Sequence, residues 1–519
     1  MKKKIIFLVF ACFISIKHFS QNIPCDVKQS AVFKDEYKNS KIILVEDDGV
    51  DGVLVVRSYY GGVFSSGSGY YFEHYDSNLK LIKEYEMEMK YSDDEKYSSV
   101  LGLIKKDDEI HLINFLYNKK DKAFICSALT GKIADFKFNR KELFRIKSEE
   151  IKQFSFFGSS SGFDNDSGAQ MIINEDRNAF AITVDIVDKN TETHKIYLFD
   201  DGLNQKFEHV FKRDVKDKKF KYENIDVSKD GNTLYLLGKV KTDEKKKKKE
   251  GGRYQYELTK ITKNSEKTQV FDTEEHFAAS LKTIIFEDRL ACVGFYSDRK
   301  DSRFKGVVYF ELDPSSLEIK KAKYNPFTEQ FIIDKYGKSK DKELKNLSFR
   351  KILINNKNEI IFNAEEYYIT THQVNSQNGG VHSYYIYHYD DIVTVKLDQS
   401  GSIVWARNIN KRQSTRGEDD YISYTSTVKG EDSYIFINTG EKVKKLSNDR
   451  IQFGQTSAKK SNLNIIKVNN NGDFDYKEIL DDKDSEVPFM VSDGAISGDN
   501  IYFIGRKGKK KQILKISLK

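Results

Sequence analysis

Proline is scarce in this chain, with four in 519 residues, and tryptophan occurs once. Four cysteines complete the short list. After the N-terminal segment, Cys25, Cys126 and Cys292 remain, an odd count with no zinc-like spacing. That excludes a disulfide framework, which a chain of this length does not need for a core. Cys126 in "AFICSAL" and Cys292 in "RLACVGF" read as small buried thiols. Long apolar runs are missing beyond the first sixteen residues. None reaches the roughly 20 residues that a spanning helix takes, so no transmembrane segment is expected. Charge of one sign is also missing, because 86 Lys+Arg face 79 Asp+Glu for a net of +7. Near-neutrality argues against a general nucleic-acid binder.

The opening "MKKKIIFLVFACFISIKHFSQ" combines a basic start with an apolar run of signal-peptide length. We read residues 1–21 as a signal and 22–519 as one exported domain, placed in the periplasm, at the cell surface or outside. The run continues past Cys12, which argues against lipid anchoring there. Loss of residues 1–21 lowers the formal charge to +3.

Aromatics are plentiful, with 30 Tyr and 36 Phe. Such a composition favours strands and is not that of a disordered chain. No stretch of ten or more residues has a helical period. Short apolar runs recur after turns rich in Asp, Asn and Gly, such as "KDDE", "KDGN" and "NKNE". Their first core residues are Val53, Ile110, Phe180, Leu234, Leu290, Ile360, Tyr434 and Ile501, a mean spacing of 64. Hairpins such as "TVKLDQSGSIVW" (394–405) interleave with them. The pattern predicts an all-β, single β-propeller of about eight four-stranded blades, with seven as the alternative count. Two β-sandwich domains rank third, because the repeat is even. The last unit ends at "QILKISLK" (512–519) without a fourth strand, and "SAVFKDEY" (30–37) has the alternation to complete it. Such closure would hide an exposed sheet edge.

At Asp398, Gly401 and Trp405 the hairpin resembles the tryptophan-docking motif of quinoprotein-like propellers. In that family the Trp stacks between blades. The Asp-to-Trp spacing is one residue shorter here, and other units carry Tyr85, Phe211, Phe271 and Tyr476 instead. The resemblance implies a propeller and no quinone cofactor. The whole chain is also similar to exported propeller-like proteins of Bacteroidetes type.

Candidate chemistry is sparse. Gly158-Ser159-Ser160-Ser161-Gly162 fits a nucleophile elbow, but no helix follows it, so it reads as a loop. Asp164, Asp166 and Glu175 form an imperfect calcium loop with Gly168 and Ala169 at the wrong positions, so no metal or other cofactor is assigned. The stretch 371–391 offers a recognition surface of His382, Tyr384, Tyr385 and His388. On one strand His382 and His388 would stand roughly 20 Å apart and could not share a metal.

The connections between second and third strands, among them 241–253, 441–460 and 506–511, carry a net +16. That leaves the rest of the processed chain negative, so one face would hold a positive potential. Its candidate ligand residues are Lys245, Lys247, Lys249, Arg253, Lys444, Lys445, Lys507 and Lys510. The expected function is a monomeric binding or scaffold module of the cell envelope, with an envelope protein or anionic polysaccharide as partner. The alternative is a carbohydrate-active hydrolase or lyase, which needs two acids across a pocket.

Overall fold

The computed structural model describes residues 23–61, 67–89, 92–151, 168–186, 191–215, 219–241, 254–271, 276–298, 303–339, 343–375, 381–440, 442–448 and 450–519. The chain is an all-β, single β-propeller. Every blade is an antiparallel sheet whose four strands, A to D, pair in chain order. The A strands of blades 3 to 6 line a central channel. D strands such as Leu81–Glu88 face outward and are largely exposed.

Seven blades come from one stretch of chain each. Blade 1 runs Asn39–Asp47, Val53–Tyr60, Ser68–Tyr75, Leu81–Glu88, and blade 2 runs Glu95–Lys106, Glu109–Asn118, Ala123–Lys132, Asn139–Lys147. Blade 3 is Ala169–Ile173, Ala179–Ile186, Glu192–Asp200, Gln205–Arg213, and blade 4 is Phe220–Val227, Leu234–Lys241, Tyr254–Ile261, Glu266–Phe271. Blade 5 is Phe277–Phe286, Arg289–Ser297, Gly306–Leu312, Ile319–Pro326, and blade 6 is Leu347–Ile354, Ile360–Asn375, Val381–Leu397, Ile403–Lys411. Blade 7 is Tyr424–Lys429, Asp432–Thr439, Asn462–Val468, Phe474–Leu480.

The eighth repeat unit supplies only Ala495–Ser497, Asn500–Lys507 and Lys510–Leu518. Its fourth strand is Cys25–Gln29 from the other end of the chain, in register Cys25↔Leu518 to Gln29↔Leu514. The expectation of eight like blades is therefore corrected to seven contiguous blades, the alternative count, and one composite sheet. The closing strand also lies earlier than expected. Of residues 30–37, only Phe33 and Lys34 pair with the last strand.

Why the ring holds is visible in the B strands. Leu54, Val55, Val56, Phe180, Ile182, Leu236 and Leu237 are all buried, so both faces of a sheet meet apolar neighbours. Burial of each such side chain contributes roughly 1.5–3 kcal/mol. Ile113, Phe115, Phe180 and Phe199 fill the seam between blades 2 and 3. Val45, Val53, Tyr502 and Ile504 fill the closing seam between blade 1 and the composite sheet.

The hairpin 394–405 shows how blades dock. Asp398 Oδ1 accepts the amide N–H groups of Ser400 at 2.8 Å and Ser402 at 2.9 Å. Gly401 has φ +80°, and a Cβ there would strike the Tyr309 ring of blade 5. Trp405 is 5% exposed and donates its indole N–H to the Asn470 carbonyl of blade 7 at 3.1 Å. Tyr85 sits likewise against Phe136 and Phe138 of blade 2.

A short α-helix, Glu329–Tyr336, joins blades 5 and 6. Thr328 caps it by accepting the Phe331 amide, and Gly337 at φ 73° ends it. At eight residues it is below the length a periodicity search resolves.

Candidate binding channel

Two adjoining cavities of about 560 and 640 Å³ occupy the channel between blades 3 and 6, and Phe349 and Lys282 line both. Most of the wall is A-strand residues, because the innermost strand of each blade turns alternate side chains to the axis, and Thr183, Asp185, His194, Lys239 and Tyr256 add to it from second and third strands.

Six cations, Lys221, Lys229, Lys239, Lys282, Arg350 and Lys351, line the two cavities. Lys239 Nζ donates to the Ala279 carbonyl at 3.2 Å, Lys282 Nζ to that of Glu223 at 2.6 Å, and Lys351 Nζ to that of Ser426 at 3.4 Å. All three ammonium groups thus rest on main-chain oxygens. Among the described residues, no carboxylate lies within ion-pair distance of Lys239 or Lys351. Burial pulls the Lys239 ammonium down to about 8; Lys221 and Lys241 push the same way, and Glu223 opposes them. Burial lowers Lys351 as well. An unneutralised, partly desolvated cation is costly unless an anion joins it.

Acids are fewer and mostly engaged. Asp185 pairs with His194 Nδ1 at 2.6 Å across adjacent strands. Glu223 faces Lys221 at 3.7 Å. Asp226 accepts the Asn224 side-chain amide at 2.6 Å. Burial raises the Asp226 carboxyl to about 7, against the pull of Lys282 and Asn224. Arg350 at the wall is committed to Glu365, a fully buried carboxylate that also takes Lys411 at 2.5 Å and the Ser423 hydroxyl at 2.9 Å.

The residues singled out from the sequence lie elsewhere. Lys245, Lys247, Lys249, Arg253, Asp164 and Asp166 lie outside the described residues, as does Gly158 to Gly162. Glu175 is exposed at the rim of the larger cavity. No group of three or more His, Cys, Asp or Glu able to hold a metal occurs among the described residues. Lys444 and Lys445 form an exposed two-residue strand paired with Ile451–Phe453. Lys507 is exposed, and Lys510 pairs with Glu486 at 3.1 Å.

Two of the charges counted for the positive face are internal. Lys511 is fully buried, donates to the Lys38 carbonyl at 2.9 Å and lies 3.8 Å from Asp35. Arg506 is buried against Asp420 at 2.7 Å. Their positions on the composite sheet, rather than in a loop, explain this.

His382, Tyr384, Tyr385 and His388 lie on a long ribbon, because the second and third strands of blade 6 stay paired out to Asn375↔Val381. His388 stacks on Tyr368 at 4.4 Å, and Tyr384 stacks on His372 at 5.3 Å. His388 and His372 both hydrogen-bond Thr370 Oγ1, at 2.9 and 3.1 Å. His372, not His382, is thus the neighbour of His388. The other face of the ribbon carries Tyr385, which is 54% exposed.

Sequence reasoning passed over Lys221, Lys239, Lys282 and Lys351. They belong to no motif. Their only signal is a lone lysine inside an otherwise strand-forming run, as in "ASLKTIIF".

No known family pattern matches the chain, and no curated protein matches it. Among solved structures it aligns with the β-propeller domain of the Trilobed protease from Pyrococcus furiosus at 10% identity, over 87% of this chain and 98% of that one, with TM-score 0.36. Prolyl oligopeptidase B from Galerina marginata aligns at 11% identity, over 90% of this chain and 55% of that one, with TM-score 0.40. Drosophila Plexin A, in complex with Semaphorin 1b, aligns at 10% identity over 95% and 88%, with TM-score 0.34. The propeller assignment itself rests on the strand pairing above.

Proposed function

We propose that this propeller is an exported binding module of the cell envelope that receives an acidic glycan in its axial channel. The observation that carries the reading is the pair of channel ammonium groups, Lys239 and Lys351, that rest on main-chain carbonyls with no carboxylate within ion-pair distance among the described residues. A carboxylate or sulfate entering there would replace lost hydration and neutralise them together. The two cavities, joined at Phe349 and Lys282, offer room for a short oligosaccharide. Lys444, Lys445, Lys507 and Lys510, with Lys245, Lys247, Lys249 and Arg253, supply longer-range attraction in this reading, and an acidic envelope protein is the other partner. In this reading the module acts as a monomer and needs no metal.

A second reading has one observation behind it. Asp226, with its carboxyl near neutrality, suits a general acid of a carbohydrate-active hydrolase or lyase. Asp185 is held by His194 and Glu223 by Lys221, which favours binding over cleavage.

Titration calorimetry with a heparin-derived tetrasaccharide tests the proposal. The variant Lys221→Gln/Lys282→Gln/Lys351→Gln is expected to bind at least about tenfold more weakly, with a shallower salt dependence. Equal affinity, or cleavage of the sugar, overturns it.

A further inference from the structure

Lys239 differs from the other channel lysines in its surroundings. It sits on the second strand of blade 4, and its cross-strand partners are Lys221 on the first strand and Tyr256 on the third. Its ammonium lies 3.7 Å from the centroid of the Tyr254 ring and 5.0 Å from that of Tyr256. The Ala279 carbonyl that it bonds also accepts the Tyr256 hydroxyl, at 3.2 Å. Lys239 and Tyr256 both line the 560 Å³ cavity, together with Lys221 and Lys282.

These are the conditions that make an amine nucleophilic: desolvation, no carboxylate partner among the described residues, and a second cation close by. Both ring faces are compatible with the neutral amine as well as the ammonium. The remaining charged groups facing this cavity are Glu223 on the first strand of blade 4 and the Asp185–His194 pair of blade 3.

We propose that Lys239 is a reactive amine that forms a reversible imine with a small ligand carrying both a carbonyl and a carboxylate. The ligand class rests on reading the channel as an anion receptor, with Lys221 and Lys282 holding the carboxylate. In the reaction the Lys239 lone pair attacks the carbonyl carbon, a C–N bond forms, and the C=O π pair moves to oxygen, which takes up a proton. The carbinolamine then loses water, and the nitrogen gives up its proton as the C=N bond forms. Amine plus carbonyl becomes imine plus water, with no net oxidation. The Tyr256 hydroxyl, bonded to the same carbonyl oxygen as Lys239, is placed beside the nitrogen through these proton movements.

The test is reductive trapping of the full chain with glyoxylate and sodium cyanoborohydride at low reagent excess, followed by peptide mass mapping. Near pH 7.4 the free-amine fraction of Lys239 exceeds that of an ordinary lysine on the order of a hundredfold. One carboxymethyl group on Lys239 is therefore expected, formed at least about tenfold faster than on any exposed lysine. Lys239→Arg should abolish it, Lys241→Arg should not, and malonate should protect. Labelling spread over surface lysines, unchanged by Lys239→Arg, overturns the proposal. Acetaldehyde separates the two ideas. If it labels Lys239 as fast as glyoxylate does, and malonate gives no protection, the imine stands and the anion receptor falls. If Lys239 stays unlabelled while Lys221→Gln/Lys282→Gln still weakens tetrasaccharide binding, the imine falls and the receptor stands.

Discussion

Arg57 gives the sharpest stability prediction. The side chain is fully buried on the second strand of blade 1. Its Nε donates to Glu73 at 2.9 Å, Nη1 to Asp35 at 2.7 Å and to Ser40 at 3.1 Å, and Nη2 to Asp35 at 3.1 Å and again to Glu73. The guanidinium also lies 4.9 Å from the Phe33 ring centroid and 4.8 Å from that of Tyr71. One cation therefore serves two carboxylates, and Asp35 belongs to the N-terminal segment that closes the ring. Arg57→Met keeps most of the volume and strands both acids, leaving Asp35 the Ser40 hydroxyl at 2.8 Å and Lys511 at 3.8 Å, and Glu73 the Tyr75 hydroxyl at 3.1 Å. Breaking a buried pair from one side costs about 3–5 kcal/mol, mostly the desolvation of what remains. Urea unfolding followed by the fluorescence of Trp405, the sole tryptophan, should show that loss. Adding Asp35→Asn and Glu73→Gln to Arg57→Met removes the stranded charges and should recover more than half of it. A loss below about 1 kcal/mol for Arg57→Met, or no recovery in the triple variant, would refute the reasoning.

Two further outcomes follow from single residues. Trp405→Ala removes a buried ring and its bond to Asn470 between blades, and should cost about 3–5 kcal/mol by denaturant titration read by circular dichroism; a change within 1 kcal/mol contradicts a docking role. Asp226, raised in the fold from 3.8 to about 7, stabilises the native state only while protonated. That contribution is full below about pH 4 and is lost as pH rises through about 7. Asp226→Asn should therefore raise stability at pH 8 by roughly 1–2 kcal/mol, discounted because the channel admits water, and leave it unchanged at pH 4. A gain at both pH values would contradict the burial account.

The repeat was legible because its signal is local. Tight-turn residues followed by β-rich runs recur every 64 residues, and each run became the buried second strand of a sheet. Closure by the N-terminus was legible from the missing last strand. Its register was not, since both 25–29 and 30–37 alternate, and the choice is made by Asp35, whose bonds to Arg57, Ser40 and Lys511 hold residues 33–40 against blade 1. In the ribbon of blade 6 the strand that holds His382 and His388 was legible, whereas the polar residues before Gly379-Gly380 hide the continuation of Ile360–Asn375 past the sheet. The channel was hidden for a different reason. Lys221, Lys239, Lys282 and Lys351 are scattered over three blades, and only the closing of the ring brings their strands to one axis. Loop charge, by contrast, was overread: Arg506 and Lys511 count as face charges in sequence and pair internally in the fold.

The central claim is that the channel, rather than the lysine-rich loops, receives an anionic ligand. Hydrogen-exchange mass spectrometry with the heparin-derived tetrasaccharide tests it most directly. The account predicts added protection in Phe220–Val227, Phe277–Phe286 and Leu347–Ile354, the innermost strands that carry Lys221, Lys282 and Lys351. Protection confined to 442–448 and 507–511, with those three strands unchanged, would contradict it.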